Sequence, residues 1–253
     1  MASWLFFTQW LHIDWVLVVV VAWLLIGVLG VLALRRFKFV ATVLFPVGAG
    51  FSILLLAVAL SAAFADPELA VLPLGLPQLP FHLRLDSLSA FFLMLIGGVS
   101  AGVSVFAAGY FRQGEGTPPG LICLEYHIFL ASIAMVVIAD DAYVFMVVWE
   151  TMAFSSFFLV MANHRIPEIR DAGYLYMLVA HIGALGILLC FGVLQANTGD
   201  YTFANMRQQH LTPFWGSVAF VLAVFGFGAK AGLLPLHVWL PEAHPAAPSP
   251  FSA

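Results

Sequence analysis

Charge is what this chain has least of. Only 9% of its 253 residues are Asp, Glu, Lys or Arg, against 63% that are hydrophobic, and the mean hydropathy is +1.04. Soluble domains carry about 25% charged residues, so a water-surrounded globule is excluded. The formal net charge of −4 is spread thinly with no basic tract, which leaves nothing to neutralise a nucleic-acid backbone. Cysteine is almost missing: Cys123 and Cys190 lie in separate apolar runs, with no disulfide framework and no Cys/His ligand spacing. Gly-rich phosphate loops, metal-ligand clusters and nucleophile elbows are also missing, so the chain reads as one without a cofactor, redox or hydrolytic centre of its own. No lysine or arginine precedes the first apolar run and no small-residue cleavage site follows it, so that run reads as a retained span and not as a signal peptide.

What remains is apolar sequence in lengths that suit a bilayer, where a spanning helix needs about 20 residues. The expected fold is all-α, a polytopic transmembrane bundle of about seven spans near 15–34, 40–63, 88–109, 122–139, 142–161, 172–194 and 214–239. Turn chemistry separates them at ADPE 65–68, RQGEGTPPG 112–120 and ANTGD 196–200. Asp86 and Ser87 are placed to cap the third span. Only Asp140 and Asp141 part the fourth span from the fifth, which makes those two a tight antiparallel hairpin.

Basic residues orient the bundle. With the amino terminus outside, the inner loops hold Arg35, Arg36, Lys38, Arg112, Arg165 and Arg170, and the outer loops only Arg84 and Arg207. The expectation is therefore a cell inner-membrane protein with a periplasmic amino terminus.

Two charges fall where none is expected. Glu150 in AYVFMVVWETMAFSSFFLVMA and Lys230 in WGSVAFVLAVFGFGAKAGLLPL are each the sole full charge of an apolar run. A charge at bilayer depth costs roughly 2.5–3.5 kcal/mol on insertion scales, and such residues usually face a bundle interior or a watery path. The bland readings are a snorkelling lysine and a neutral glutamic acid bonded between helices. The sharper reading is an acid–base pair that moves ions. Gly226, Gly228, Gly232 and Pro235 surround Lys230, so the seventh helix is expected to break between about 227 and 236. Transporters place ion sites at such breaks.

His181 in LVAHIGALGIL is a packed hydrogen-bonder or a proton relay, since imidazole titrates near pH 6.5. His237 follows Lys230 by seven residues, about two helical turns, and would share its face. Glu125, His127, Asp140, Asp141, Asp14, Asp86, His82 and Glu115 are expected at span ends or in loops, in capping or solvated roles.

VVWETMAFSSFFLV followed by GFGAKAGLLPLHVWLPEAHPAAPSPFSA resembles the proton-conducting antiporter-like membrane subunits of respiratory complex I and related complexes. The family has a glutamate helix followed by a broken lysine helix, which Glu150 and Lys230 match, and the HVWLPEAH run at 237–244 is specific to it. AHPAAPSP, AHIGALGILLCFGVLQ and FANMRQQHL are most similar to its hydrogenase-linked branch, the large membrane subunits of formate hydrogenlyase and hydrogenase-4 (component B). The resemblance implies a division into amino-terminal helices 1–3 (residues 1–120) and the start of the proton-conducting domain, helices 4–7 (121–253). It also implies about fourteen helices in inverted repeats, of which this chain would be the amino-terminal half, stopping before helix 8. The implied activity is proton translocation through a charge-coupled Glu150–Lys230 half-channel with His181 and His237 as relays. Implied partners are other membrane subunits, a peripheral hydrogenase or oxidoreductase arm, and the lipid bilayer. A multi-subunit sodium/proton antiporter, a quinone-reductase subunit without a hydrogenase, and a membrane scaffold remain as alternatives.

Overall fold

In the computed structural model, residues 10–110, 116–195 and 200–252 are described; Arg112 and Glu115 lie outside them. The first spans are α1 (His12–Leu32), α2 (Phe37–Ala62), α3 (Ser87–Tyr110) and α4 (Pro119–Ile138). They are followed by α5 (Ala142–Val160), which runs on as a 3-10 turn to Asn163, and α6 (Pro167–Gln195). The seventh span, Pro213–Ala246, is assembled from α8 (Pro213–Ala231), a 3-10 turn (Leu236–Trp239) and α9 (Leu240–Ala246). A short α7 (Phe203–Arg207) precedes it and α10 (Ser249–Ser252) follows. The described residues thus hold seven helices long and apolar enough to cross a membrane. This is a multi-pass membrane bundle, as the sequence predicts.

The ends of the spans differ from the sequence reading for identifiable reasons. α6 starts at Pro167, five residues earlier than expected, so Arg170 sits in the helix and not in a loop. Proline suits a first helical position because its missing N–H would be unpaired there anyway. α2 contains a π-helical turn at Val40–Leu44 just before Pro46. Proline cannot donate to the preceding turn, and the widened turn lets the span absorb it.

One element is an addition to the all-helical plan. Between α2 and α3 the chain forms an antiparallel hairpin, β1 (Glu68–Leu76) and β2 (Leu79–Leu85). Its strands are rich in Leu and Pro, and Gly75 takes a left-handed φ of 101° at the irregular register between Leu72 and Gly75. The hairpin caps one end of the bundle. Leu83 bridges to Ala139, which joins the hairpin to the α4–α5 turn, and Asp141 in that turn bridges to Thr202 in the segment before α7.

The largest buried cluster runs through α1–α5, with Trp23, Phe45, Leu55, Leu93 and Ile138 at its centre. Lipid gives helices no hydrophobic drive to associate, so close packing of small residues matters more. The α6–α8 contact shows this. A Cβ on Gly226 would stand 2.7 Å from the Gly183 carbonyl and 2.8 Å from the Ile187 nitrogen. Only glycine lets the two backbones approach so closely, and Lys230, one turn after Gly226, is brought to the α6 face by the same contact.

Candidate functional site

Glu150 and Lys230 both turn toward α6, but to different residues. The Glu150 carboxylate lies 3.6 Å from His181 Nε2, and the His181 ring meets Phe154 edge-on at 5.3 Å. Lys230 Nζ donates to the Tyr176 hydroxyl at 2.6 Å. It also sits 4.9 Å from the centre of the Tyr176 ring and 6.0 Å from that of Trp149. Trp149 and Glu150 are neighbours on α5, so the two charges are held around one aromatic residue. Among the described residues they form no direct ion pair with each other; each has its own α6 partner.

The antiparallel packing of α5 on α6 explains the pattern. Glu150 and Ser156 are six residues apart on α5, and their partners His181 and Tyr176 are five apart on α6. The Tyr176 hydroxyl is 2.5 Å from Ser156 Oγ. The two helices therefore present two polar rungs, Glu150–His181 and Ser156–Tyr176, separated by about 9 Å at 1.5 Å per residue. Lys230 joins the second.

The break that the glycines and Pro235 predict is present, and it falls just after Lys230. Gly232 takes a left-handed φ of 71°, and Leu233 N–H donates to the Gly228 carbonyl at 2.9 Å to close the helix. The indole of Trp239 folds back and donates to the Ala229 carbonyl at 2.9 Å. A carbonyl freed by the break is thus satisfied by protein, as irregular backbone at membrane depth requires. Trp239 also packs edge-on against Tyr176 at 5.2 Å.

His237 is corrected by the same break. Two helical turns do not connect it to Lys230, because α8 stops at Ala231 and His237 lies in the 3-10 turn beyond. Its Nδ1 is buried without a partner, as is Nδ1 of His181. His127 and Glu125 need correction as well. Both lie inside α4 and not at a span end; His127 is fully buried, its Nδ1 2.7 Å from the Cys123 carbonyl, and one Glu125 oxygen is buried without a partner.

The end-cap acids behave as expected. Asp141 accepts from Val144 N–H at 2.6 Å to cap α5, and the same carboxylate takes His82 N–H at 2.8 Å. Asp86 accepts from Ser89 N–H at 3.0 Å, at the start of α3. Asp14 accepts from Leu11 N–H at 3.0 Å at the start of α1. Burial raises Asp140 above the ordinary carboxylate range against the pull of Arg207, Arg84 and His82.

Sequence reasoning missed Tyr176, Ser156 and Trp239. Hydroxyl residues are common in apolar runs; the usable signal was position, Ser156 following Glu150 by under two turns and Tyr176 preceding Gly183 by two. Lys230, Tyr176 and Ser156 line a cavity of about 520 Å³, whose lining also includes Tyr126, Ser100 and His244.

Two family models match. Residues 139–253 fit the transmembrane model of the NADH:quinone oxidoreductase/Mrp antiporter family. Residues 72–118 fit the model for the amino terminus of chain 5 of NADH-ubiquinone oxidoreductase (complex I). The chain belongs to the antiporter-like membrane-subunit family of complex I and the Mrp antiporters. Within that family it is 43% identical to hydrogenase-4 component B of Escherichia coli (strain K12) over 171 residues, 68% of this chain and 25% of that protein. It is 28% identical to formate hydrogenlyase subunit 3 of the same organism, over 83% of this chain and 31% of that one. The chain therefore spans between a quarter and a third of the length of these two relatives. The Mrp complex of Dietzia sp. DQ12-45-1b shares the fold with a TM-score of 0.77 at 24% identity, over 94% of this chain and 26% of that one. In this antiporter-like family member, the matched transmembrane region contains both Glu150 and Lys230.

Proposed function

We propose that the chain is part of a proton-translocating membrane subunit of a hydrogenase, formate hydrogenlyase or quinone-oxidoreductase-like complex, and that Glu150 and Lys230 are its charge-coupled pair. The observation that carries this reading is the two adjacent rungs. The acid sits at one rung and the base joins the next, the rungs about 9 Å apart along α5, and among the described residues each is paired with one polar side chain of α6, His181 or Tyr176. Charges held this lightly respond to one another: a proton arriving at Glu150 removes the attraction between its carboxylate and the Lys230 ammonium. His181 is in contact with the acid and serves as its relay. His237, with an unpartnered buried ring nitrogen just past the break, is the candidate relay on the other side of Lys230. Residues 1–120 act as supporting helices, and 121–253 carry the path. The neighbouring partners are further membrane subunits and a peripheral electron-transferring arm, in the inner membrane.

The test uses the full-length subunit in its complex, reconstituted in vesicles with a pH-sensitive dye. Glu150→Gln and Lys230→Met leave assembly intact, each cuts pumping strongly, and the double variant is no worse than the more damaging single one. Normal pumping in both single variants returns the residues to a packing role. Orientation is tested separately. A reporter fused near Arg165 reads cytoplasmic and one near Asn197 periplasmic; the reverse result inverts the side of proton uptake.

A further inference from the structure

We infer that Tyr176 and Ser156 form a directed hydroxyl relay that carries the Lys230 proton into the cavity bordered by Tyr126 and His244. The inference rests on the proposed role of Lys230 and adds to it the route by which its proton leaves.

The direction follows from the donor count. Lys230 has donors only, so in the 2.6 Å contact the Tyr176 oxygen accepts. Ser156 has one hydroxyl proton, and it is given to the Ala153 carbonyl at 2.9 Å. At the 2.5 Å contact Ser156 must then accept, and Tyr176 must donate. The three bonds run in one sense, from Lys230 to Tyr176 to Ser156 and away. All three residues line the cavity, as do Tyr126 and Ser100. Tyr126 is tied there by its own bonds to Ser104 Oγ at 3.0 Å and the Ser100 carbonyl at 3.2 Å.

The step is balanced as follows. Lys230 Nζ releases a proton to Tyr176 Oη while Tyr176 passes its own hydroxyl proton to Ser156 Oγ. Ser156 turns its hydroxyl from the Ala153 carbonyl toward the cavity and gives that proton to water there. Each O–H bond broken is matched by one formed. Lys230 is left neutral, and the positive charge resides on the cavity water.

Tyr176 is held for this work by groups other than its hydroxyl. Its ring packs on Trp239 and lies under Lys230, so Tyr176→Phe keeps the packing and removes only the relay atom. Ser156→Thr and Ser156→Val have nearly the same shape and differ in the hydroxyl alone. In the full complex, proton pumping per enzyme turnover falls about tenfold or more in Tyr176→Phe, a size expected for a lost proton-transfer group. Ser156→Thr pumps, Ser156→Val does not, and Tyr176→Phe with Ser156→Val is no lower than either alone because the groups act in series. If Tyr176→Phe fails to assemble, the Thr and Val variants of Ser156 decide by themselves.

Tyr176→Phe or Ser156→Val pumping within about twofold of the parent, with Lys230→Met inactive, removes the relay and leaves Lys230 in place. Normal pumping in Lys230→Met removes both.

Discussion

The charges at the hairpin end of the molecule and the charges within the bundle are held in opposite ways. Asp141 is fully buried, and its two oxygens take the N–H groups of Val144 and His82, with the His82 ring 3.1 Å away. Glu68 is spread over Ile13 N–H at 2.8 Å and the His12 ring at 2.7 Å. Glu150 by contrast has one ring nitrogen at the long distance of 3.6 Å, and Lys230 one hydroxyl. A carboxylate with several short donors is fixed in position, because moving it sacrifices each bond. A charged group with one polar partner is held by far less. The first arrangement builds a rigid end cap; the second is the lightly held geometry on which the proposed proton path rests.

The largest effect that separates the two arrangements is expected at Asp141. Replacement by alanine strands the Val144 and His82 amides in a buried turn and removes the α5 cap. Losing the cap, which is the bond to the Val144 amide, costs about 0.5–2 kcal/mol and stranding the His82 amide about 1–3 kcal/mol, so a total near 3 kcal/mol is expected. Asp141→Asn, which keeps an acceptor for one amide, loses less. Thermal melting of the purified complex measures the difference, and pumping per assembled complex stays near that of the parent. Lost pumping with unchanged melting would put Asp141 with Glu150 and Lys230, and the division between end cap and bundle would fail.

The bundle was legible in the sequence because hydropathy and length report lipid directly. Glu150 and Lys230 stood out for the same reason, as charges in runs that have no others. The break after Lys230 was legible too, since glycine and proline act locally. The hairpin was not. Its strands are read against a background of apolar helices: ELAVLPLGLPQL has no polar alternation, and the alternation of FHLRL at 81–85 is too short to stand out alone. The pairings were hidden for a different cause. Which α6 residue faces Lys230 depends on the Gly183–Gly226 approach, a tertiary contact between helices about forty residues apart in sequence. His237 illustrates the risk of carrying helical spacing through a break: the periodicity that placed it near Lys230 ends at Ala231. His127 was misjudged because its distance from the span boundary said nothing of how closely Gly48 packs over its ring; a Cβ there would lie 2.5 Å from Nε2.

The smallest effect is a pH dependence at Glu68, and it sharpens the contrast because it is confined to the end cap. Burial works to raise this carboxyl, but the Ile13 N–H and the His12 ring outweigh it and hold Glu68 below its ordinary value of 4.5. With the folded value depressed, the unfolded chain binds the proton more readily, so the contribution to stability is present above about pH 4.5 and is lost as pH falls through the lower folded value. For a pair at the solvent edge the amount is below about 1 kcal/mol and weakens with salt. Glu68→Gln removes the charge while keeping an acceptor near Ile13. Its melting temperature is expected to lie slightly below that of the parent at pH 6, and the gap to close as the buffer is taken toward pH 3.5. A gap that stays constant across that range would show that the carboxylate charge contributes nothing, and that Glu68 holds α1 to the hairpin through neutral hydrogen bonds alone.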